Sequence, residues 1–400
     1  MKRNRAACCV LACALWLSLL SGCGKEEPSF ILGMDASCVP ALEAGGVQYC
    51  NSEGRPQDVF QILAEGGIHY IRVRVWNDPF DSSGNGYGGG NCDIENALEI
   101  GKRATRYGMK LLVDFHYSDF WADPGKQMVP KAWEGMSIQE KTDALYAYTC
   151  DSLTRLKQAG VDVRMVQIGN ETNSGLAGET RWENMAKLFS AGARAVRDTL
   201  PDALVAVHFT NPEKPGVYAY FAQQLALYEV DYDVFASSYY PQWHGTLENL
   251  QQVLSAIRQT YGKEVLVAET AHPYTAEDLD FHGNTVTSDT VTPYPKTPEG
   301  QAAWVLDVAK AVSEIGGMGL FYWEGTWIPA GGDSYTENQK LWEAYGSGWA
   351  SAYAGAYDPQ DAGKYYGGCA VENQAFFDEE GRALSSFGVF AQIQKALKQP

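Results

Sequence analysis

Residues 265–270 read Val265-Leu266-Val267-Ala268-Glu269-Thr270, an apolar run that ends on a carboxyl side chain. Such a run is typical of a strand in a parallel sheet, because helices cover both faces of that sheet and leave no alternating polar side. Segments with helical periodicity flank it, at Leu247–Tyr261 and at Pro298–Ile315. The stretch therefore predicts one strand of a fold in which strands and helices alternate.

The same alternation occurs eight times along the chain. The predicted strands are Phe30–Met34, Tyr70–Trp76, Lys110–Phe115, Met165–Gly169, Leu204–Val207, Val234–Ser238, Val265–Ala268 and Met318–Tyr322. Further helices are predicted at Glu95–Arg106, Ser137–Ala159 and Arg181–Thr199, with a last one near Ser386–Leu397. Eight such units predict an α/β fold of the (β/α)8 TIM barrel type. A doubly wound open sheet is the alternative, but no glycine-rich phosphate-binding turn follows any strand.

Four connections are unusually long, and each follows the carboxyl end of a predicted strand. They are Asn77–Asp93, Ser118–Met136, Thr270–Thr297 and Glu324–Asp378. Long loops in a compact domain are usually functional, and barrel enzymes build their active sites at this face. We therefore expect the site there.

Composition narrows the class of ligand. The chain has 31 Lys and Arg against 49 Asp and Glu, a net charge of -18. That charge opposes the phosphate neutralisation on which nucleic-acid binding depends, so nucleic acids and anionic membrane surfaces are poor partners for this chain. With 11 Trp, 23 Tyr and 15 Phe, a neutral ligand such as a sugar ring is favoured.

The N-terminus has the pattern of an export signal. Basic residues precede the apolar run Ala6–Leu20, which is too short to span a membrane, and small residues lead to Cys23. This resembles a bacterial lipoprotein cleavage box with lipid on Cys23, although a plain cleaved signal is the alternative. The predicted parts are a signal peptide at 1–22, a tether at 23–29 and a single catalytic domain at 30–400. Lys25-Glu26-Glu27 resembles the surface-export tag of Bacteroides-type lipoproteins, so the predicted location is the outer membrane with the protein at the cell surface.

Five cysteines follow Cys23, so at least one thiol is unpaired. Sequence proximity favours Cys38 and Cys50 as a disulfide in an exported protein.

Two carboxyl groups follow the ends of opposed strands. Asn170 and Glu171 follow the fourth strand, and Glu269 ends the seventh. Glycoside hydrolysis needs such a pair, because one carboxyl group protonates the leaving oxygen while the other attacks the anomeric carbon or activates water. The alternative is two structural glutamates in caps or ion pairs.

Four motifs resemble glycoside hydrolase family 53, the endo-β-1,4-galactanases, within the large clan of retaining barrel glycosidases. They are Ile71-Arg72-Val73-Arg74-Val75-Trp76-Asn77-Asp78-Pro79, Asp114-Phe115-His116-Tyr117-Ser118-Asp119-Phe120-Trp121-Ala122-Asp123-Pro124-Gly125-Lys126-Gln127, Ser238-Tyr239-Tyr240-Pro241 and Tyr322-Trp323-Glu324-Gly325-Thr326-Trp327. The resemblance spans roughly Leu32 to Gly388. It departs at Phe120, where the family often has Thr.

The resemblance implies a role for each strand-end residue. Glu171 would be the general acid, with a raised pKa, and Asn170 would bind the sugar 2-hydroxyl. Glu269 would be the nucleophile. Arg72 would lie beneath Glu269 and keep it ionised, unless it forms a purely structural ion pair.

The resemblance also implies a set of substrate contacts. One of two adjacent tyrosines, Tyr239 or Tyr240, would donate to the nucleophile, with Tyr239 preferred. Trp323 would form the platform beneath the sugar at the cleavage point. The remaining predicted contacts are His116, Asp119, Trp121, His208, Trp327 and Trp349.

A second group of polar residues lies in the loop after the seventh strand. Asp278, Asp280, His282 and Asn284 alternate with other residues, and three of the four offer oxygen, which favours Ca²⁺ over zinc. The resemblance implies a calcium site completed by Cys369 and Glu372. A solvated acidic loop is the alternative.

The predicted function is a monomeric, retaining, endo-acting glycoside hydrolase. Its substrates would be β-1,4-galactan in pectin side chains and type I arabinogalactan, and galacto-oligosaccharides. An endo-mannanase or cellulase of the same clan is the alternative among enzymes. A surface glycan-binding lipoprotein without activity is the alternative outside enzymes, and it would have no need for two opposed carboxyl groups.

Overall fold

Eight parallel strands close into a barrel in which neighbours in the chain are neighbours in space and β1 pairs with β8. The strands are β1 Ile31–Asp35, β2 Tyr70–Val75, β3 Lys110–Phe115, β4 Val163–Ile168, β5 Leu204–Phe209, β6 Val234–Ser238, β7 Glu264–Thr270 and β8 Gly319–Tyr322. The predicted TIM barrel is confirmed, with strand limits that differ from the predicted ones by at most two residues.

The computed structural model describes residues 30–332, 334–360 and 362–397. The predicted signal peptide, the tether and the lipidation site at Cys23 lie outside this part of the chain. Within it, no helix has the length and apolar character needed to cross a membrane.

Helices connect the strands. They are α1 Val39–Ala44, α2 Val59–Glu65, α3 Ile94–Arg106, α4 Ile138–Gln158, α5 Trp182–Thr199, α6 Val217–Leu227, α7 Leu247–Tyr261, α8 Pro298–Glu314, α9 Tyr335–Tyr345, α10 Ala362–Tyr365 and α11 Val389–Leu397. Local signals define their starts: Ser137 and Glu140 form a capping box at α4, and Thr297 caps α8 ahead of Pro298.

The barrel interior changes character from one end to the other. Near the amino ends of the strands it is apolar and includes Tyr70, Leu112, Met165 and Phe321. Gly33 makes room for the Phe321 ring, since a Cβ at that position would lie 2.2 Å from its Cδ1 atom. Near the carboxyl ends the buried interior becomes polar and charged, with Asp35, Arg72, Arg74, Asp114, Gln167, His208 and Ser238. The fold thus places its ionisable groups at the end that carries the long loops.

The predicted Cys38–Cys50 disulfide is wrong, because all five cysteines in the described residues are free thiols. Cys38 is buried and accepts a hydrogen bond from Arg74 Nη2. Cys50 instead lies in backbone pairing with Pro56 and Arg382. Closeness in sequence did not bring the two side chains together.

Candidate active site

A cavity of about 450 Å³ opens at the carboxyl ends of the strands. Both predicted catalytic carboxyl groups, Glu171 and Glu269, line it. Its other lining residues include Arg72, Asp114, His116, Trp121, Asn170, Tyr240, Trp243, Trp323 and Trp349. The cavity therefore gathers side chains from strands on opposite sides of the barrel.

The backbone after β4 turns two consecutive side chains toward the cavity. Gly169 has φ 86° and Glu171 has φ 44°, so both adopt the left-handed region. A Cβ at Gly169 would lie 2.5 Å from Thr172 Cγ2, which makes glycine necessary at this turn. A non-glycine residue in this region is uncommon, and such backbone conformations cluster at functional sites. The turn is what allows Asn170 and Glu171 to serve the same cleft.

A bulge in β7 directs Glu269 into the barrel. Val267 pairs with Leu320 and Thr270 with Tyr322, so three steps along β7 oppose two along β8. Leu266 and Ala268 already point to the interior, and strict alternation would turn Glu269 outward. The extra residue resets the alternation, and Glu269 lines the cavity.

Glu269 is held by a cation and a phenol. Arg72 Nη2 lies 2.9 Å from its Oε1, which is the contact that the sequence predicted. Tyr240 donates from its hydroxyl to Oε2 at 2.9 Å. Burial raises the pKa of Glu269, while the Arg72 guanidinium and the Tyr240 hydrogen bond both oppose that rise.

Arg72 also joins other groups at the cavity floor. It contacts Asp114 at 2.8 Å and Asp35 at 3.3 Å, and it donates to Asn170 Oδ1 at 2.9 Å. Asn170 in turn donates from Nδ2 to the carbonyl of Ala122 at 2.9 Å. The asparagine amide is thereby fixed at the cavity beside the guanidinium that binds Glu269.

Glu171 has no such cation among its hydrogen-bond partners in the described residues. Ser238 donates to its Oε1 at 2.6 Å. Burial, followed by the negative charge of Glu269, raises the pKa of Glu171 to about 8, and the bond from Ser238 opposes this rise. A general acid must be protonated and a nucleophile must be ionised, and the surroundings of Glu171 and Glu269 favour these two states respectively.

The prediction that Tyr239 faces the nucleophile is wrong. Tyr239 turns outward, donates to the carbonyl of Gly245 at 2.9 Å and stacks on Trp304. Tyr240 takes the inward position because Ala236 and Ser238 already set the inward side of β6.

Three other predicted substrate contacts are also corrected, because their side chains lie beneath the cavity wall. His208 is fully buried, and its ring nitrogens lie within hydrogen-bond distance of Asn170 and Ser238. Asp119 accepts from the backbone N–H groups of Asp78 and Lys131 and so ties two loops together. Trp327 is fully buried, and its indole N–H donates to the carbonyl of Ser347.

Aromatic rings from the β3 and β8 loops form one wall of the cavity. Trp121 stacks on Trp349 with ring centroids 4.4 Å apart, and Trp323 lies 6.4 Å from each of them. The Arg74 guanidinium lies 4.3 Å from the Trp121 centroid and forms a buried ion pair with Glu324. Trp121, Trp323 and Trp349 therefore keep their predicted place at the cleft, as does His116, which hydrogen-bonds Asp114.

Several residues of the site were not selected from the sequence. Ser238 contacts the acid, Gln167 connects Asp114 with His208, and Trp243 lines the cavity with half of its side chain exposed. Ser238 belongs to the Ser238-Tyr239-Tyr240-Pro241 motif that carried the family resemblance, and Trp243 lies two residues beyond that motif. The two-residue alternation from Ser238 to Tyr240 was a usable signal.

Four of the six predicted calcium ligands bring their side chains together between the β7 and β8 loops. Carboxylate oxygens of Asp278, Asp280 and Glu372 lie within 4.8 Å of one another, and Asn284 donates to Glu372 at 2.9 Å. Asn284 Oδ1 and Glu372 Oε2 are buried without a hydrogen-bond partner. His282 and Cys369 meet Asp280 through their backbone N–H groups.

Comparisons with known proteins agree with this geometry. An endo-beta-1,4-galactanase of Bacillus subtilis (strain 168) is 57% identical over 380 residues, covering 94% of this chain and 88% of that protein. An arabinogalactan endo-beta-1,4-galactanase of Cellvibrio japonicus (strain Ueda107) is 35% identical over 357 residues, covering 85% and 90%. The solved Ignisphaera aggregans GH53 catalytic domain superposes with a TM-score of 0.82 at 36% identity, covering 92% of this chain and 98% of that one. Residues 31–390 match the sequence model of glycosyl hydrolase family 53, and the chain therefore belongs to that family.

Proposed function

We propose that this chain is an endo-acting β-1,4-galactanase that cleaves galactan side chains of pectin and type I arabinogalactan with retention of configuration. One observation carries the proposal: Glu171 and Glu269 face a single cavity in contrasting surroundings. The identity to the galactanase from Bacillus subtilis supports the choice of substrate.

In the first step the glycosidic bond breaks and a covalent intermediate forms. Glu171 transfers its proton to the leaving glycosidic oxygen while a carboxylate oxygen of Glu269 bonds to the anomeric carbon. Arg72 and Tyr240 hold Glu269 in place for this attack. The products are a shortened galactan chain and a galactosyl ester on Glu269.

In the second step water breaks the ester. Glu171, now a carboxylate, removes a proton from water as the water oxygen bonds to the anomeric carbon and Glu269 leaves. The proton returns Glu171 to its starting form. Two inversions at one carbon retain the β configuration.

The cavity wall supplies the recognition of sugar rings. Trp121, Trp323 and Trp349 offer apolar faces on which sugar rings stack. Asn170 lines the same cavity, where its fixed amide hydrogen-bonds the 2-hydroxyl of the sugar being cleaved.

Incubation with linear galactan, mannan and cellulose tests the substrate. We expect rapid loss of viscosity and mixed oligosaccharides from galactan alone. The β-anomer should form first by NMR, because two successive inversions restore the configuration of the anomeric carbon. Products from mannan or cellulose only, an initial α-anomer, or binding of galactan without cleavage would each overturn the proposal.

We also propose that the protein binds a calcium ion between its β7 and β8 loops. Asp278, Asp280, Glu372 and Asn284 offer hard oxygen ligands, and the buried unpaired Asn284 Oδ1 and Glu372 Oε2 atoms fit a cation. When bound, the ion would neutralise this acidic cluster and tie the β7 loop to the β8 loop. It takes no part in either chemical step.

A lipid anchor at Cys23 is the last element of the proposal. The basic start, the short apolar run and the small residues before Cys23 support it, and Lys25-Glu26-Glu27 supports surface exposure on the outer membrane. We expect Cys23→Ser to release the protein from membranes. Fractionation that still finds the variant in the membrane pellet would contradict the anchor.

A further inference from the structure

A line of hydrogen bonds runs from the barrel interior to Glu171. His208 Nε2 lies 2.9 Å from Ser238 Oγ, and Ser238 Oγ lies 2.6 Å from Glu171 Oε1. His208 is on β5 and Ser238 is on β6, and both side chains are fully buried. The acid is therefore held from beneath by two strands other than the one that carries it.

The surroundings of His208 determine which atom donates in each of these hydrogen bonds. Its Nδ1 lies 3.3 Å from the backbone N–H of Glu171, which can only donate, so Nδ1 accepts this bond. Asn170 Oδ1 lies 3.0 Å from the same nitrogen, but this oxygen accepts from Arg72 Nη2 at 2.9 Å. Burial and the nearby Arg72 guanidinium lower the pKa of His208 well below its usual value, so the ring is neutral. A neutral ring with an accepting Nδ1 carries its hydrogen on Nε2. That hydrogen points to Ser238 Oγ.

The Ser238 hydroxyl carries a single hydrogen, and the contact with His208 determines which acceptor receives it. Its oxygen accepts from His208, so its own O–H donates to Glu171 Oε1. An oxygen that accepts this bond is the poorer site for a proton, which leaves Oε2 as the protonated atom. Oε2 is the oxygen that this contact leaves available to the substrate.

We propose that Ser238 is a positioning residue that binds Oε1 of Glu171 and keeps the transferable proton on Oε2, with His208 setting the direction of the Ser238 hydroxyl. The inference rests on the proposed galactanase function and deepens it. In the first step the proton leaves Oε2 for the glycosidic oxygen, and in the second a proton from water returns to Oε2. Ser238 and His208 keep their own hydrogens throughout.

Ser238→Ala tests this role against a matched control. Ser237→Ala removes a neighbouring buried hydroxyl that bonds to Tyr218 on the opposite side of the same strand. For Ser238→Ala we expect kcat on galactan to fall about 10-fold or more, since the bond is made to a charged group in the second step. We expect the alkaline limb of kcat/KM to move up by about one pH unit, because the carboxylate loses a donor. Ser237→Ala should change neither, and Ser238→Thr should restore much of the loss.

The leaving group separates positioning of the acid from general damage. A dinitrophenyl galactobioside departs without a proton, so the burst of dinitrophenol in Ser238→Ala should stay within about two-fold of the wild type. Equal losses on this substrate and on galactan, or an unmoved alkaline limb, would overturn the role of Ser238. A wild-type protein that fails to cleave galactan would instead refute the proposed function, so the two failures are distinct.

A double-variant cycle tests the part of His208. His208→Gln can still donate an N–H toward Ser238, whereas His208→Leu cannot. We expect His208→Gln to keep the wild-type alkaline limb of kcat/KM and His208→Leu to shift it as Ser238→Ala does. The double variant, with His208→Leu and Ser238→Ala together, should show no further shift. Independent, additive shifts would overturn the coupling. Melting curves for each variant show whether it is folded.

Discussion

The two carboxyl groups at the cavity contrast in the kind of partner that each one has. Glu269 lies 2.9 Å from a guanidinium and accepts from a phenol. Glu171 accepts from a serine hydroxyl, behind which lies a neutral imidazole. A cation stabilises a carboxylate more strongly than a neutral donor does. The same residue type is thereby given opposite protonation at one cleft, through partners supplied by β2, β5 and β6.

Removal of either carboxyl group gives the largest expected effect. We expect Glu171→Gln to lower kcat on galactan by ~10²–10⁴-fold, the range for a general acid and base. Glu269→Gln should lower kcat further, because no covalent intermediate can form. Activity assays with melting curves check this.

An activated substrate sharpens that difference. With a dinitrophenyl galactobioside, Glu171→Gln should still release a burst of dinitrophenol, because the first step no longer needs an acid, whereas Glu269→Gln should release none. The reverse pattern would exchange the two roles.

Arg72→Lys should lower kcat less than removal of a catalytic carboxyl group does. It should lower kcat more than loss of one neutral hydrogen bond does. An ammonium keeps the charge but cannot reach Asp114, Glu269 and Asn170 together as the guanidinium does. We expect a lower kcat and a lower melting temperature, since the buried carboxyl groups of Asp35, Asp114 and Glu269 lose part of their shared cation. A wild-type kcat together with a wild-type melting temperature would mean that the several contacts of the guanidinium have no function.

Tyr240→Phe and Tyr239→Phe form a matched pair on adjacent residues. Tyr240→Phe removes a donor to Glu269, and hydrogen bonds to charged groups correspond to a loss of about 10–100-fold in kcat. Tyr239→Phe removes a bond to the carbonyl of Gly245 outside the barrel, so kcat should stay near wild type. Equal kcat values for the two variants would contradict the assignment of Tyr240.

The places where sequence reasoning succeeded and failed have physical causes. The eight units, Arg72 and both carboxyl groups could be predicted, because apolar runs and strand ends are local features of the chain. The inward turn of Glu269 depends on a bulge and that of Glu171 on positive φ, and simple alternation accounts for neither. Asp119, His208 and Trp327 were misassigned as substrate contacts because proximity to a strand end does not reveal which side chains another loop covers.

The pH dependence of kcat/KM tests the protonated state of Glu171. Its pKa lies near 8, above the ordinary value, so the active protonated form is lost as the pH rises through about 8. We expect kcat/KM on galactan to decline above that pH. With the dinitrophenyl substrate, the rate of the first step should not show this decline. A common alkaline limb for both substrates would assign the titration to another group.

Metal removal should have the smallest effect on activity. If Asp278, Asp280, Glu372 and Asn284 bind calcium, the ion is a ligand of the folded state and stabilises it by mass action, by about 2.7 kcal/mol at a concentration 100 times Kd. EDTA should lower the melting temperature, and added calcium should restore it. Glu171 follows β4 directly and Glu269 lies in β7, and neither residue belongs to the proposed ion-binding cluster, so kcat well below the melting temperature should change little. Asp280→Asn supplies the control, since its melting temperature should already be low and insensitive to EDTA. A wild-type protein that loses its calcium by elemental analysis and melts unchanged would show that this cluster is an acidic loop without a structural ion.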